Sequence, residues 1–435
     1  MMRRISVIVI TGWIAASNAA AEPTDARFDT DLRRRVKAVN ERVVDWRRGI
    51  HKRPELSNRE FLTSALVARE LRGMGIEVRE KIAHTGVVGV LRGGRSGPVV
   101  ALRADMDALP VTEELDLPFA SKVKTEYAGR EVGVMHACGH DAHTAILLGT
   151  AHILSDLREE LPGTVLFLFQ PAEERPPPGE AGGAKLMIAE GALDDPKPEA
   201  IFALHAVPQH SVGTIAYRSG GAMASSDRMR ILVRGKQTHA AYPWRGVDPI
   251  TAASRIVLAL QAIPGRRLDV RVPAVVSIGS IHGGIRHNII PGEVEMHGTI
   301  RSLDPDMRFE LHDLVRNTAQ GIAAAEGATA EVEIDVADGY PVTWNDPELT
   351  RRMLPSLKKS APRVIEALPR TGSEDFSFYQ LKVPGLYVWL GVRPLDVKPE
   401  DAAPNHSPRF FVDEAALPIG VLAMTRLALD YLRGE

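Results

Sequence analysis

The sequence predicts an α/β protein. Its expected core is a mixed, mostly parallel sheet with helices on both faces, interrupted by a smaller inserted β-α-β-β-α-β domain. Three observations carry this reading. "PVVALRA" (98–104), "GTVLFLFQ" (163–170) and "EAIFALHA" (199–206) are near-continuous apolar runs. Such runs suit strands buried on both faces beneath helices. Segments with apolar residues at helical spacing alternate with them, as in βαβ units. Between about Ser225 and Val336 the pattern changes to a self-contained order of strands and helices.

In chain order, residues 30–48 and 58–73 show helical spacing with many charges. The run at 98–104 is the first buried strand. "DAHTAILLGTAHILSDL" (141–157) follows as a helix, with Asp141 as its expected N-cap and an end before Pro162. The runs at 163–170 and 199–206 are the next two strands. "RMRILVRG" then alternates as a strand, and "DPITAASRIVLALQAI" reads as a helix with Pro249 in its first turn. "PAVVSIGSIHGG" and "GEVEMHGTIRS" read as two strands, "DPDMRFELHDLVRNTAQGIAAAEG" as a long helix and "TAEVEIDVAD" as a closing strand. This order is the split βαβ unit, a complete small domain. From about Gly339 the remainder supplies another buried strand, "LYVWLGV", and a closing helix in "DEAALPIGVLAMTRLALDYL". The expected division is a leader at 1–21, a main domain of 22–224 with 337–435, and an inserted domain at 225–336.

The start, "MMRRISVIVITGWIAASNAAAEP", has a basic pair at Arg3 and Arg4, an apolar run from Ile5 to Ala16, and an A-x-A pattern at Ala19 and Ala21. That is the pattern of a secretory signal. It predicts an exported protein, periplasmic or secreted, with no membrane attachment after cleavage. An uncleaved anchor is the alternative. With one cysteine among 435 residues, an intrachain disulfide is impossible, so stability must come from packing. Lys+Arg 53 against Asp+Glu 55 leaves no basic stripe for nucleic acid. Aromatics at 5% are too few for a stacking platform.

The polar residues that stand out follow the buried strands. Asp105 and Asp107 come after the first, Glu173 and Glu174 after the second, and His205 ends the third. Cys138 and His140 lie in the turn before the 141–157 helix, within "VMHACGHDAHT" (134–144), which also holds His136 and His143. Sites in open α/β sheets form at the carboxyl ends of strands. Each signal alone is weak: C-G-H recurs by chance, adjacent carboxylates usually form a solvated face, and a histidine between prolines ("PNHSP", 404–408) is usually a rigid loop. Together they point to a metal site. A helix N-terminus beside Cys138 would favour its thiolate. In an extended segment Glu173 and Glu174 point opposite ways, so one can ligate while the other faces substrate.

The blocks "LRADMDALP", "MHACGHDAHT", "QPAEE", "GKQTHAAYPWRGVDPI", "HNIIPGEVEMHGTIRS", "TGSEDFSFY" and "PNHSPRF" run through the chain. In these the sequence resembles the M20 family of metallopeptidases, in the branch of N-acyl-amino-acid amidohydrolases, hippurate hydrolases and auxin-conjugate hydrolases. The resemblance implies two divalent metals, Zn²⁺ or Mn²⁺, and an inserted lid that also makes a homodimer. It implies Cys138, His140, Glu174, His205 and His406 as ligands, with Cys138 shared between the ions. It implies Glu173 as general base toward a metal-activated water, and Asp107 as a clamp on a ligand histidine. His239, reaching in from the partner's lid, would stabilise the oxyanion, and Asn288 and Arg301 would hold the substrate carboxylate. Three departures bear on substrate choice: Ala142 where glycine is usual, Trp244 where histidine is common, and a longer loop at 175–183.

The expected activity is hydrolysis of the amide of N-acyl amino acids. A carboxypeptidase or dipeptidase acting on short peptides is the runner-up. A ligand-binding protein without activity is a third reading, since fold does not fix function. The absence of G-x-S-x-G and of H-E-x-x-H argues against a serine hydrolase and a zincin.

Overall fold

The three apolar runs fold into one sheet because each is flanked by helices that cover both of its faces. A computed structural model describes residues 23–435; the leader segment lies outside the described residues. The eight-stranded sheet runs, in spatial order, Glu77–Ile82, Gly86–Arg92, Pro162–Gln170, Arg95–Asp105, Ala200–Ser211, Gly385–Arg393, Thr214–Tyr217 and Arg363–Glu366. Arg95–Asp105 is parallel to both neighbours, and Gly385–Arg393 is parallel to Ala200–Ser211. Antiparallel pairing enters through the hairpin at one edge and through Thr214–Tyr217 near the other.

Successive residues on these strands serve opposite cores. Val100, Leu102, Phe167 and Phe202 pack with the helices Pro23–His51, His140–Asp156 and Leu417–Arg433. Ala101, Leu166, Leu168 and Ala203 pack on the other face with Met187, Phe376 and Tyr379. Period-two alternation delivers one side chain to each layer. The closing helix is long and apolar enough to cross a membrane by composition, yet it is buried as a core helix.

The 140–156 helix differs from the sequence expectation at its start. Asp141 is not its cap. Gly139 holds that position at φ +95°, and the helix begins at His140. A Cβ at Gly139 would also sit 3.0 Å from that of Ala206, so the turn needs glycine twice over. Asp141 instead lies fully buried in the first turn, accepting from Arg47 Nε at 2.8 Å and paired with His51 Nδ1 at 2.8 Å. A buried arginine competes better for that carboxylate than a backbone N–H does.

Ser226–Arg234, Ala274–Gly283, Glu293–Ser302 and Thr329–Tyr340 form a separate antiparallel sheet, ordered 274–283, 293–302, 226–234, 329–340. The helices Pro249–Arg266 and Pro305–Ala325 cover one face and share its apolar core. Asp248 and Asp304 cap these helices, each followed by proline at the first position. Strand Ala274–Gly283 pairs on one side only, which leaves an edge.

Candidate metal centre

Three strands and two loops bring the candidate ligands to one end of the main sheet. Asp105 ends its strand and Asp107 follows two residues on. Glu173 and Glu174 follow Gln170 through a turn in which Ala172 has φ +54° and Arg175 φ +84°. His205 sits within Ala200–Ser211, and His406 comes from a loop, itself at φ +71°.

The donor atoms fall into overlapping sets. Cys138, His140 and His205 have ligand atoms within 4.8 Å of one another, and so do Cys138, Glu174 and His406. Cys138 belongs to both, as a ligand shared between two ions would. His205 Nδ1 donates to the Ala206 carbonyl at 2.9 Å, so its Nε2 lone pair faces Cys138 Sγ at 3.3 Å. His140 Nδ1 is engaged by Asp107 at 3.1 Å, while its buried Nε2 has no hydrogen-bond partner. A buried, unpartnered imidazole nitrogen among thiol, imidazole and carboxylate donors fits a divalent cation of borderline softness. His406 Nε2 lies 3.0 Å from Glu174 Oε1.

Electrostatics refines one expectation. Burial, reinforced by Glu174 and Glu173, pushes the Cys138 thiol well above its usual range. In the protein alone burial and these carboxylates favour the neutral thiol, so a thiolate here needs cations beside it. Burial opposes charge on His140, but Asp105 and Asp107 prevail and push it up to about 10. His205 goes the other way: burial, helped by His143, holds it well below the usual range. His136, the first histidine of the cysteine segment, is driven down to about 3 by burial, and both its ring nitrogens lack hydrogen-bond partners.

Asp107 does more than clamp a histidine. Its Oδ1 accepts from the Glu173 N–H at 3.2 Å, and its Oδ2 accepts from the Glu174 N–H at 3.0 Å and from Ser57 Oγ at 2.7 Å. It thus fixes the turn that carries both glutamates.

A buried network behind the centre has no counterpart in the sequence reading. Arg103 donates to Asp105 at 2.6 Å, to Glu374 at 3.0 Å and to Asp375 at 2.9 Å. Asp105 engages His143 Nδ1 at 2.6 Å, and His143 Nε2 accepts from Ala206 N–H at 2.7 Å. Tyr387 donates to Glu374 at 2.6 Å, and Gln170 donates to Asp375. Glu374 and Asp375 stand in "TGSEDFSFY" and Asp105 in "LRADMDALP". Arg103 and Asp105 share one motif and one strand, but only folding brings Glu374 and Asp375 to them.

A cavity of about 990 Å³ opens beside the centre, lined among others by Cys138, Glu173, Glu174, His205, His406 and Arg301. Glu173 is buried on its wall. Tyr340 Oη donates to the Glu173 carbonyl at 3.0 Å. Arg301 Nη1 donates to the Thr371 carbonyl at 2.9 Å. His239 and Asn288 do not line this cavity. They lie together on the inserted domain, where Thr238–His239 pairs with Ile289–Ile290 and the Ala240 N–H donates to the Asn288 carbonyl at 3.0 Å. His239 is exposed there, its Nδ1 accepting from the Ala241 N–H.

A thiol, two carboxylates and three imidazoles beside an open cavity, on a two-sheet α/β frame, define a metal-dependent hydrolase. The chain belongs to peptidase family M20/M25/M40, whose pattern matches residues 101–430. It is 43% identical over 401 residues to thermostable carboxypeptidase 2 of Saccharolobus solfataricus, covering 92% of this chain and 98% of that one. It is 39% identical over 397 residues to an N-acetylcysteine deacetylase of Bacillus subtilis, covering 91% and 98%. A solved structure from Bacillus subtilis, described as a dinuclear metal binding peptidase from the M20 family, superposes with a TM-score of 0.75 at 37% identity, covering 91% and 99%.

Proposed function

We propose that this protein is an exported amidohydrolase that splits the amide bond of N-acyl amino acids and holds two divalent ions, Zn²⁺ or Mn²⁺. The observation that carries the reading is the placement of Glu173. Its carboxylate lies within 4.8 Å of the His140 and Glu174 donor atoms, on the wall of the cavity. The dinuclear relative and the deacetylase support the metal count and the substrate class.

Cys138, His140, Glu174, His205 and His406 would hold the ions, with Cys138 between them. When bound, such ions supply Lewis-acid charge that brings the pKa of a water towards neutrality and polarises a carbonyl. Glu173 accepts the proton of the attacking water and returns it to the leaving amine. Burial, with Glu374 and Glu174 nearby, holds the Glu173 carboxyl well above its usual range in the protein alone, and cations beside it would favour the carboxylate that a base requires. Asp107 keeps the glutamate turn and His140 in register. Arg301 offers the substrate carboxylate a planar fork. Met223, Ile365 and Trp389 give the cavity apolar wall for an acyl group.

The active form in this reading is a homodimer joined through the inserted lid. The open edge at Ala274–Gly283 offers unpaired backbone groups. His239 stands exposed and away from its own cavity, and reaches the partner's site as the oxyanion donor, with Asn288 beside it. The basic-apolar-AxA pattern at residues 3–21 supports export in this reading.

Carboxypeptidase action is the second reading, favoured by the 43% identity to a protein of that name. Both reactions cut the amide on the amino side of a terminal amino acid. Rates of amino acid release from N-acetyl, N-benzoyl and N-aryl-acyl amino acids, set against dipeptides and tripeptides, separate them. Preference for the N-acyl set supports the amidohydrolase. Preference for the peptides overturns it.

A further inference from the structure

Arg175 occupies a backbone position made for glycine. Its φ is +84°, a left-handed conformation that a side chain with a Cβ rarely adopts. What stands there is the longest cationic side chain available, in the residue directly after Glu173 and Glu174. Its guanidinium packs over the Tyr340 ring at 5.1 Å from the centroid. Tyr340 in turn donates to the Glu173 carbonyl. Arg175 therefore lies close to the backbone of the proposed base, on the wall of the cavity.

Arg175 and Arg301 line the same cavity. Among the described residues, neither has a carboxylate within ion-pairing distance. Two of the acids that line the cavity are engaged elsewhere, Glu374 by Arg103 and Tyr387 and Glu174 by His406, and the other two, Glu173 and Glu366, pair with neither arginine. Arg301 is half-buried, and its guanidinium is pushed below its usual range by that burial and then by the charge of Arg175. Two like charges that repel across a cavity wall, without a protein counter-ion, are stable partners for an anion supplied from outside. One substrate carboxylate satisfies Arg301. A second anionic group on the same substrate would pair with Arg175.

The geometry points to an N-acylated dicarboxylic amino acid as the preferred substrate, with Arg301 taking the main-chain carboxylate and Arg175 the side-chain carboxylate. This rests on the amidohydrolase reading for its substrate class, but it can be tested without turnover. Metal-loaded Glu173→Gln protein, in which hydrolysis is blocked, is titrated calorimetrically with N-acetyl-L-glutamate and with its uncharged isostere N-acetyl-L-glutamine. N-acetyl-L-aspartate and N-acetyl-L-asparagine form a second pair that tests the length of the side chain.

The expected result is at least ten-fold tighter binding of the acid than of the amide in one pair. Adding Arg175→Gly, which suits the backbone at this position, should bring that ratio to within about two-fold. Equal affinity for acid and amide in both pairs overturns the inference. So does a preference for the acid that survives Arg175→Gly. Failure of the amidohydrolase reading looks different. In that case wild-type protein releases no amino acid from any N-acyl substrate, while the charge preference and its dependence on Arg175 remain.

Discussion

Asp107 accepts four hydrogen bonds, from His140, Ser57 and the N–H groups of Glu173 and Glu174. Replacing it by asparagine turns a donor amide towards groups that are already donors. Asp107→Asn should lower metal affinity by about 10–100-fold, the usual effect of losing a group that orients a ligand; competition with a chromogenic chelator measures it. Glu173 and Glu174 are neighbours to which the proposed function gives different duties. Glu173→Gln should keep its metal yet lose at least ~10²-fold in turnover, the low end for removing a general base. Near-normal rates in that variant would place the base elsewhere. The candidate donor types were legible because Cys138 and His140 stand in a turn and Glu173 and Glu174 follow a strand, whereas His205, expected to end its strand, lies inside Ala200–Ser211. The sequence could not reveal which way Asp141 turns. Its pairing with Arg47 joins positions 94 residues apart, and no local pattern encodes such a contact.

At the scale of elements, apolar periodicity made the long strands and helices legible. The runs at 98–104, 163–170 and 199–206 each appear as strands, extended by a few residues at their ends. The edge hairpin of Glu77–Ile82 and Gly86–Arg92, and the short Thr214–Tyr217 and Arg363–Glu366 strands, went unread. Short strands carry too few residues for a period to show, and tertiary pairing decides them. In the inserted domain, Asp227 on the strand Ser226–Arg234 accepts from both Arg308 Nε, at 2.9 Å, and Arg308 Nη2, at 2.6 Å, and pairs with His312 Nε2 at 2.9 Å. This cluster ties the strand to the helix Pro305–Ala325. Burial favours the neutral Asp227, but Arg308 and His312 prevail and hold it below the usual carboxylate range. Asp227→Ala leaves Arg308 buried and unpaired, and should cost about 3–5 kcal/mol. A depressed carboxyl contributes its stability above its unfolded pKa, near 3.9, and loses it as pH falls through the folded value. The gap in thermal midpoint between wild type and Asp227→Ala should therefore be full at pH 7 and shrink below about pH 4. A gap constant down to pH 2 would contradict this.

At the scale of the whole molecule, the main sheet gathers the candidate ligands, and the short ladder of Thr238–His239 with Ile289–Ile290 holds His239 outside the cavity lining. Mixing inactive His239→Ala with inactive Glu173→Gln chains should restore activity if the imidazole acts across a dimer. One site of each mixed dimer then receives both an intact base and an intact imidazole. With heterodimers shown by mass, no recovery would mean that His239 acts within its own chain or not at all. An oxyanion donor is worth about 3 kcal/mol, so recovery would stand well above background. The central claim is narrower, that Cys138 is shared by two ions, and elemental analysis of the purified, metal-reloaded protein tests it most directly. Two divalent ions per chain are predicted, falling in Cys138→Ala. Fewer than one ion per chain after reloading, or an unchanged two in Cys138→Ala, would contradict it.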